Sequence, residues 1–416
     1  MVKRKKNQSK KAKPRKIAIR LLSPNKTLSL PKLGTKSAKE EAYRLTLPKI
    51  KIVGIGGAGN NALSRIYKLM KGMETIALNT DSQNLKFTLS DKKIQIGKTT
   101  THGRGAGMNP DLGKRSAEES KEEIAGFLQG AELVFITCGL GGGTGSGAAP
   151  VVAEICRSLN ILTIAVVTMP FSFEGKERLQ IAQTAWNNLA ANVDALITVN
   201  NDRVFNVIDA NTSLKKAFWQ IDEILREGIQ AISDLIIKPG LINVDFADLK
   251  AIVQNAGPAL LGIGLAEGKD RAVKAGEKAI ANPLVDITVD DAHRILINIS
   301  AAGDLTMLEV QQAAKAITDK VANEAKIIFG ANFDHSLPKG KLKVTVVACG
   351  FEGKTFSPNS SLNFSTSYAR KEAQEEESGQ AEAMTSHLKD VLTEKLKPFE
   401  SLEDQPAFLR KKRFRE

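Results

Sequence analysis

Seven residues constrain this chain more than any others: Gly141-Gly-Gly-Thr-Gly-Ser-Gly147, of which five are glycine. An apolar run, Leu133 to Leu140, precedes them, and a helical pattern, Ala148 to Leu159, follows. A strand that stops in glycines and restarts as a helix leaves backbone N–H groups unpaired at the helix N-terminus. Those donors, with the positive end of the helix dipole, suit a phosphate. Glycine lets an anion approach the backbone closely, and Thr144 and Ser146 can add hydroxyl donors. A flexible Gly-rich loop is the plainer reading, but such loops seldom lie between a clear strand and a clear helix.

The same grammar recurs upstream. A strand, Ile50 to Ile55, runs into Gly56-Gly-Ala-Gly-Asn-Asn61, and a helix follows through Met70. Gly54, Gly56 and Gly59 fit the dinucleotide fingerprint, with Asp81 about 20 residues on. This alone supports a second reading, a nicotinamide-dependent oxidoreductase. Gly97-Lys98-Thr99 resembles the end of a Walker A loop, but Lys92 stands where that motif needs its first glycine. Residues 99–110 read instead as a polar, Gly-punctuated loop, and one helix is expected from about Asp111 to Gln129. Further strands at Ile161–Val167 and Ala195–Val199 alternate with a helix carrying Arg178. That alternation predicts a parallel sheet covered on both faces, with ligands at the carboxyl ends of its strands.

From Leu214 to Ile236 apolar residues recur at helical spacing, with Gly228 as an interruption. Phe218 and Asp222 share one side of that helix. On their own they read as a core Phe beside a surface Asp, although an aromatic face next to a carboxylate also matches the flat surface and N–H edge of guanine. In Asn243-Val-Asp-Phe-Ala-Asp248, Asp245 and Asp248 have the spacing of a helix N-cap and its N3 partner, a capping box. Residues 257–352 form a second α/β region. It is expected to hold a Gly-rich turn (262–268), a helix (Arg271–Ile280), strands near 294–300, 326–330 and 342–349, and a helix from Leu305 to Asn323.

Charge separates the ends from the middle. The chain of 416 residues carries a formal charge of +13. Residues 1–49 hold 16 Lys/Arg and 2 acids, while the remainder has 43 Lys/Arg against 44 acids. The basicity belongs to an extension that reads as a solvated arm with loose affinity for anionic lipid or nucleic acid. A transit peptide would favour Arg and Ser over Lys. The start lacks an apolar secretory core, and the three cysteines, Cys138, Cys156 and Cys349, show no metal-ligand spacing; both point to a reduced, cytosolic setting. Residues 353–400 read as a flexible linker. Residues 401–416 place Pro406, Phe408 and Leu409 in a basic context, the pattern of a short docking peptide.

Taken together, Gly141–Gly147, Gly56–Asn61, Asn79-Thr-Asp81, Gly105–Pro110, Pro170–Gly175 and Asn243–Asp248 resemble the motifs of the FtsZ family, the bacterial tubulin-like division GTPases. The resemblance runs from Ile50 to Phe351. It implies a Rossmann-like parallel-sheet GTPase domain (50–210) joined by a long central helix (211–240) to a smaller α/β C-terminal domain (241–352).

By the same resemblance, Gly57, Ala58, Gly59, Asn60 and Asn61 would approach the phosphates and guanosine, and Gly143, Thr144 and Gly145 would cradle the phosphates. Glu174 would hold a ribose hydroxyl and Arg178 would add positive charge. Asn201 and Asp222 would read the guanine edge, with Phe218 stacked on the base. The family's active site is completed between subunits, so Asn243, Asp245 and Asp248 would act on GTP bound to the next molecule in a head-to-tail filament. Mg²⁺ would be held mainly by the phosphates. The peptide Asp404–Arg410 is similar to the family's tail, which binds membrane-tethering division proteins. The implied setting is the division site beneath the membrane; a tubulin-like filament with a non-division role is the alternative. The 49-residue basic arm, Asn200 and Met108 depart from the family's usual pattern.

Overall fold

The computed structural model describes residues 48–67, 72–206, 212–238, 240–281, 289, 292–322, 324–334 and 337–351. The expected basic arm (apart from residues 48–49), the linker and the docking peptide therefore lie outside the described residues.

The first half alternates strand and helix: β1 (Ile50–Ile55), α1 (Gly56–Ile66), β2 (Glu74–Asn79), α2 (Ser82–Phe87), β3 (Lys92–Gln95), α3 (Lys98–Thr101), α4 (Pro110–Glu119), α5 (Lys121–Leu128), β4 (Leu133–Gly139), α6 (Gly143–Ser158), β5 (Leu162–Met169), α7 (Lys176–Ala190) and β6 (Ala195–Asn200). The central helix α8 (Leu214–Ile237) follows, then β7 (Gly240–Ile242), α9 (Phe246–Val253), β8 (Gly257–Glu267), α10 (Arg271–Ile280), β9 (Ala292–Ala301), α11 (Met307–Thr318), β10 (Lys326–Phe333) and β11 (Lys341–Phe351).

All strands join one sheet in the order β3-β2-β1-β4-β5-β6-β8-β11-β9-β10-β7. From β3 to β6 every pairing is parallel. β5 is buried along its whole length, as a strand must be when helices cover both faces. β6 meets β8 in parallel over Ala195–Ile197, and beyond it β11 runs antiparallel to both β8 and β9. Hence the sheet continues from the first half into the second. The chain leaves β1 toward β2 on one side and returns to β4 on the other. A ligand crevice is expected at such a reversal, outside the carboxyl ends of the strands.

α8 buries Ile221, Leu225, Ile229, Ile232 and Leu235, the apolar stripe expected from the sequence. It is unbroken at Gly228, where a Cβ would lie 2.8 Å from Leu261 Cδ2. Its glycine permits close packing rather than a break.

Two other expectations are corrected. The supposed Gly-rich turn at 262–268 lies largely within the strand β8. Side chains at Gly262 and Gly264 would overlap the carbonyl oxygens of Ala279 and Ala275, so their absence lets α10 lie flush on the strand. The single helix expected over 111–129 is two, broken at Ser120, whose hydroxyl accepts from the Gly97 amide at 3.3 Å.

Candidate functional site

The opening heptad is not a loop before a helix. α6 begins at Gly143, so five of its residues form the first turns of the helix itself. The reason is steric. A Cβ on Gly145 would overlap the Gly139 carbonyl, and one on Gly147 the Pro110 carbonyl. These glycines let the helix start press against β4 and α4. α1 likewise begins within its glycine motif, at Gly56, and Gly59 sits against the Thr137 carbonyl of β4.

The two starts converge: a Cβ built on Gly56 would lie 3.1 Å from the Gly145 nitrogen and 3.4 Å from Thr144 Cβ. Neither helix has a side-chain cap at its N-terminus. Two dipole ends with uncapped N–H groups therefore face one crevice, at the carboxyl ends of β1 and β4. Gly57, Ala58, Gly59, Asn60 and Asn61 lie in the opening turns of α1, and Gly143, Thr144 and Gly145 in that of α6.

Hydroxyls and amides complete the surroundings. Thr144 and Thr80 share a hydrogen bond of 2.7 Å between hydroxyls. Ser146 is turned inward, its hydroxyl accepting from the Gly141 amide at 2.9 Å, so it braces the turn. Asn60 is fully buried, yet neither atom of its amide has a partner among the described residues, and Asn201 Oδ1 is likewise unpaired. Buried amides are seldom left so. Their lone pairs and N–H groups are those a polar ligand would satisfy, so the residues present fit a bound nucleotide.

Glu174 accepts from the Phe171 amide at 2.9 Å and pairs with Arg178 on α7. Asp222 on α8 pairs with Arg65 of α1 at 3.0 Å. Burial lifts the Asp222 pKa to about 6, against the pull of the Arg65 charge. Phe218 lies on α8, but its side chain is outside the described residues.

Asp81, the acid of the dinucleotide fingerprint, is committed elsewhere. Its Oδ1 accepts from the Gln83 and Asn84 amides as the N-cap of α2. Through Oδ1 it serves as a helix cap, a local use that accounts for an acid at this spacing without a nicotinamide site.

Asn243, Asp245 and Asp248 stand apart from this crevice. Asp222 is 15 residues before the end of α8, a rise of about 22 Å at 1.5 Å per residue, and the three residues follow beyond that end. At the far side of α9 the chain enters β8 beside Asp194, which accepts from the Asn255 amide at 3.1 Å; Asp194 immediately precedes the amino end of β6. Thus α9 leads to the edge of the sheet opposite the glycine turns. Asp245 and Asp248 do form a capping box, the plainer of the two readings their spacing allowed.

Sequence reasoning missed Arg65, whose partner Asp222 is distant in the chain and leaves no local signal. Thr80 lies in the motif Asn79-Thr-Asp81, but its bond to Thr144 was not legible there. Among the described residues no group of three or more His, Cys, Asp or Glu could hold a metal ion, and no helix is long and apolar enough to cross a membrane.

Comparison with known proteins agrees with this architecture. Residues 49–209 match the model of the Tubulin/FtsZ family, GTPase domain, and residues 257–352 that of the FtsZ family, C-terminal domain. The solved structure of an empty FtsZ dimer from M. jannaschii is 43% identical, with a TM-score of 0.71 over 76% of this chain and 93% of that one. The GTPγS-bound protofilament of CetZ2 from Haloferax volcanii is similar in fold, at 23% identity and a TM-score of 0.64 over 79% of this chain and 99% of that one.

Proposed function

This chain belongs to the FtsZ family of tubulin-like GTPases, and on that premise we propose that it binds GTP in the crevice between α1 and α6, stacks head to tail and hydrolyses GTP at each joint. The observation that carries the proposal is the separation of the two half-sites. The phosphate cradle lies at the carboxyl edge of the parallel strands, whereas Asp245 and Asp248 follow a helix that leads away from it. One copy cannot bring them together, but a second copy stacked on the first can. Such a contact is heterologous, so it propagates into a filament.

In this reading the helix-start amides of Gly57–Asn61 and Gly143–Gly145 hold the phosphates. Asn60 turns its unpaired amide and Asn201 its unpaired Oδ1 to the nucleotide, Glu174 holds the ribose and Asp222 accepts from the guanine edge. Arg178 contributes positive charge beside Glu174. The next subunit's Asp245 and Asp248 orient and polarise water while Asn243 steadies the γ-phosphate. Phosphoryl transfer rewards this placement of charge more than covalent chemistry. The crevice offers amides and hydroxyls, a donor set that suits Mg²⁺ carried by the phosphates themselves, where it would neutralise their charge. The setting we assign is the cytoplasmic division ring, tethered to the membrane through Asp404–Arg410.

The test is GTP turnover per molecule against protein concentration. Turnover should vanish below a threshold concentration, as expected of a shared site. Turnover proportional to protein at all dilutions would overturn the shared site, and absence of GTP turnover would overturn the whole reading. A fluorescently tagged chain that fails to gather at the division plane would remove the division role alone.

A further inference from the structure

The half-site made of Asn243, Asp245 and Asp248 is held from below by a residue with no side chain. β7 pairs antiparallel with β10, matching Ile242 to Ala331 and Gly240 to Asn332. The Asn243 side chain accepts from the Gly240 amide at 2.5 Å, folding back across the short strand β7. Val244, between Asn243 and Asp245, is buried, although both of its neighbours are exposed. It therefore serves as the anchor of the segment. What it anchors to is β10: a Cβ built on Gly330 would lie 2.7 Å from Val244 Cγ2 and 3.2 Å from Asn298 Oδ1.

Gly330 is not at positive φ, so backbone conformation does not demand glycine there. The demand is space. A methyl group at 2.7 Å from a carbon is well inside the contact distance of 3.5–4.0 Å, and one side must move. Asn298 is fixed by hydrogen bonds from its amide to Ser300 Oγ at 3.1 Å and Asn332 Oδ1 at 3.5 Å, within the buried face of β9 and β10. Val244 belongs to a short connection that crosses the surface, so it is the partner that yields.

We infer that Gly330 is a positioning residue for GTP hydrolysis: its missing side chain seats Val244, and Val244 sets where Asn243, Asp245 and Asp248 meet the neighbouring subunit's nucleotide. The inference rests on the reading that this segment acts in trans. Gly330 itself touches neither nucleotide nor water. Phosphoryl transfer is sensitive to such placement, since misplacement of about 1 Å can cost about a hundredfold in rate.

The experiment compares Gly330→Ala, Val244→Ala, the double variant and Asp245→Asn, measuring GTP affinity, polymer formation and turnover at saturating GTP. Gly330→Ala is expected to lower kcat at least tenfold while GTP affinity stays within twofold of the parent. Val244→Ala removes the methyl groups that the new side chain would strike, so the double variant is expected to turn over faster than Gly330→Ala alone. Because Val244→Ala would also relieve overpacking, melting temperatures are read alongside turnover, and kcat is expected to fall in Gly330→Ala under conditions where the protein stays folded. Parental kcat in Gly330→Ala, or a double variant no faster than the single, overturns the inference while leaving the trans site standing if Asp245→Asn is inactive. Parental turnover in Asp245→Asn would overturn the trans site itself.

Discussion

Asp245 and Asp248 bind each other's backbone: the Asp248 amide donates to Asp245 Oδ1 at 2.7 Å, and the Asp245 amide donates to Asp248 Oδ2 at 3.2 Å. Each carboxylate thereby commits one oxygen to starting α9 and keeps the other for a different partner. Capping and catalysis are compatible uses of one pair, because the cap fixes the direction in which the remaining oxygens point.

Asp245→Asn separates the two uses. Asparagine caps helices about as well as aspartate, so stability should change by less than about 0.5 kcal/mol. Loss of the charge should reduce GTP turnover by roughly 10²–10⁴-fold with GTP binding intact. Thermal melting and steady-state turnover on the same preparation check this, and near-parental turnover would leave the pair a cap and nothing more.

Asp222 sets a pH dependence. Burial holds its folded pKa near 6, above the ordinary 3.8, in spite of Arg65. A raised carboxylate value means that the folded protein takes up a proton more readily than the unfolded one, so this group favours folding as pH falls from 6 toward 3.8. The proposed guanine contact would move the opposite way, because it needs the ionised form to accept two N–H groups. GTP affinity should fall roughly tenfold per pH unit below about 6, and Asp222→Asn should bind weakly with that component of the pH dependence gone. Identical pH profiles for the two proteins would remove Asp222 from the guanine contact.

Two glycines inside helices predict opposite signs on substitution. At Gly147 a side chain would overlap the Pro110 carbonyl, whereas at Gly126, inside α5, nothing lies within 4 Å of an added Cβ. Gly147→Ala should destabilise by about 1–3 kcal/mol through overpacking, and Gly126→Ala should stabilise by up to about 1 kcal/mol. Chemical denaturation measures both, and equal effects would refute the close-packing explanation of the heptad.

Arg271 tests the second half of the fold. It is buried and joins α10 to α11, bonding Glu309 at 2.6 Å and Asp304 at 2.7 Å. Arg271→Ala would remove the cation from two carboxylates that water can still reach, and should cost about 1–2 kcal/mol, while GTP affinity of the folded fraction stays unchanged. A melting temperature equal to the parent's would show that the pairing contributes nothing net.

The residues themselves determined the alternation of strand and helix, the apolar stripe of α8 and the two glycine motifs at strand ends, because hydrophobic period and the conformational rules of glycine act over neighbours in the chain. Ile50–Ile55, Leu133–Gly139 and Leu162–Met169 were legible in this way. Tertiary structure alone decided what the glycines are for. Gly145, Gly147, Gly262 and Gly264 read locally as turn formers, yet each marks a place where another backbone comes too close for a Cβ. It alone also joined Arg65 to Asp222 and turned Asp81 into a cap. Such contacts depend on which distant backbone arrives at a position, and composition and spacing carry no record of that arrival.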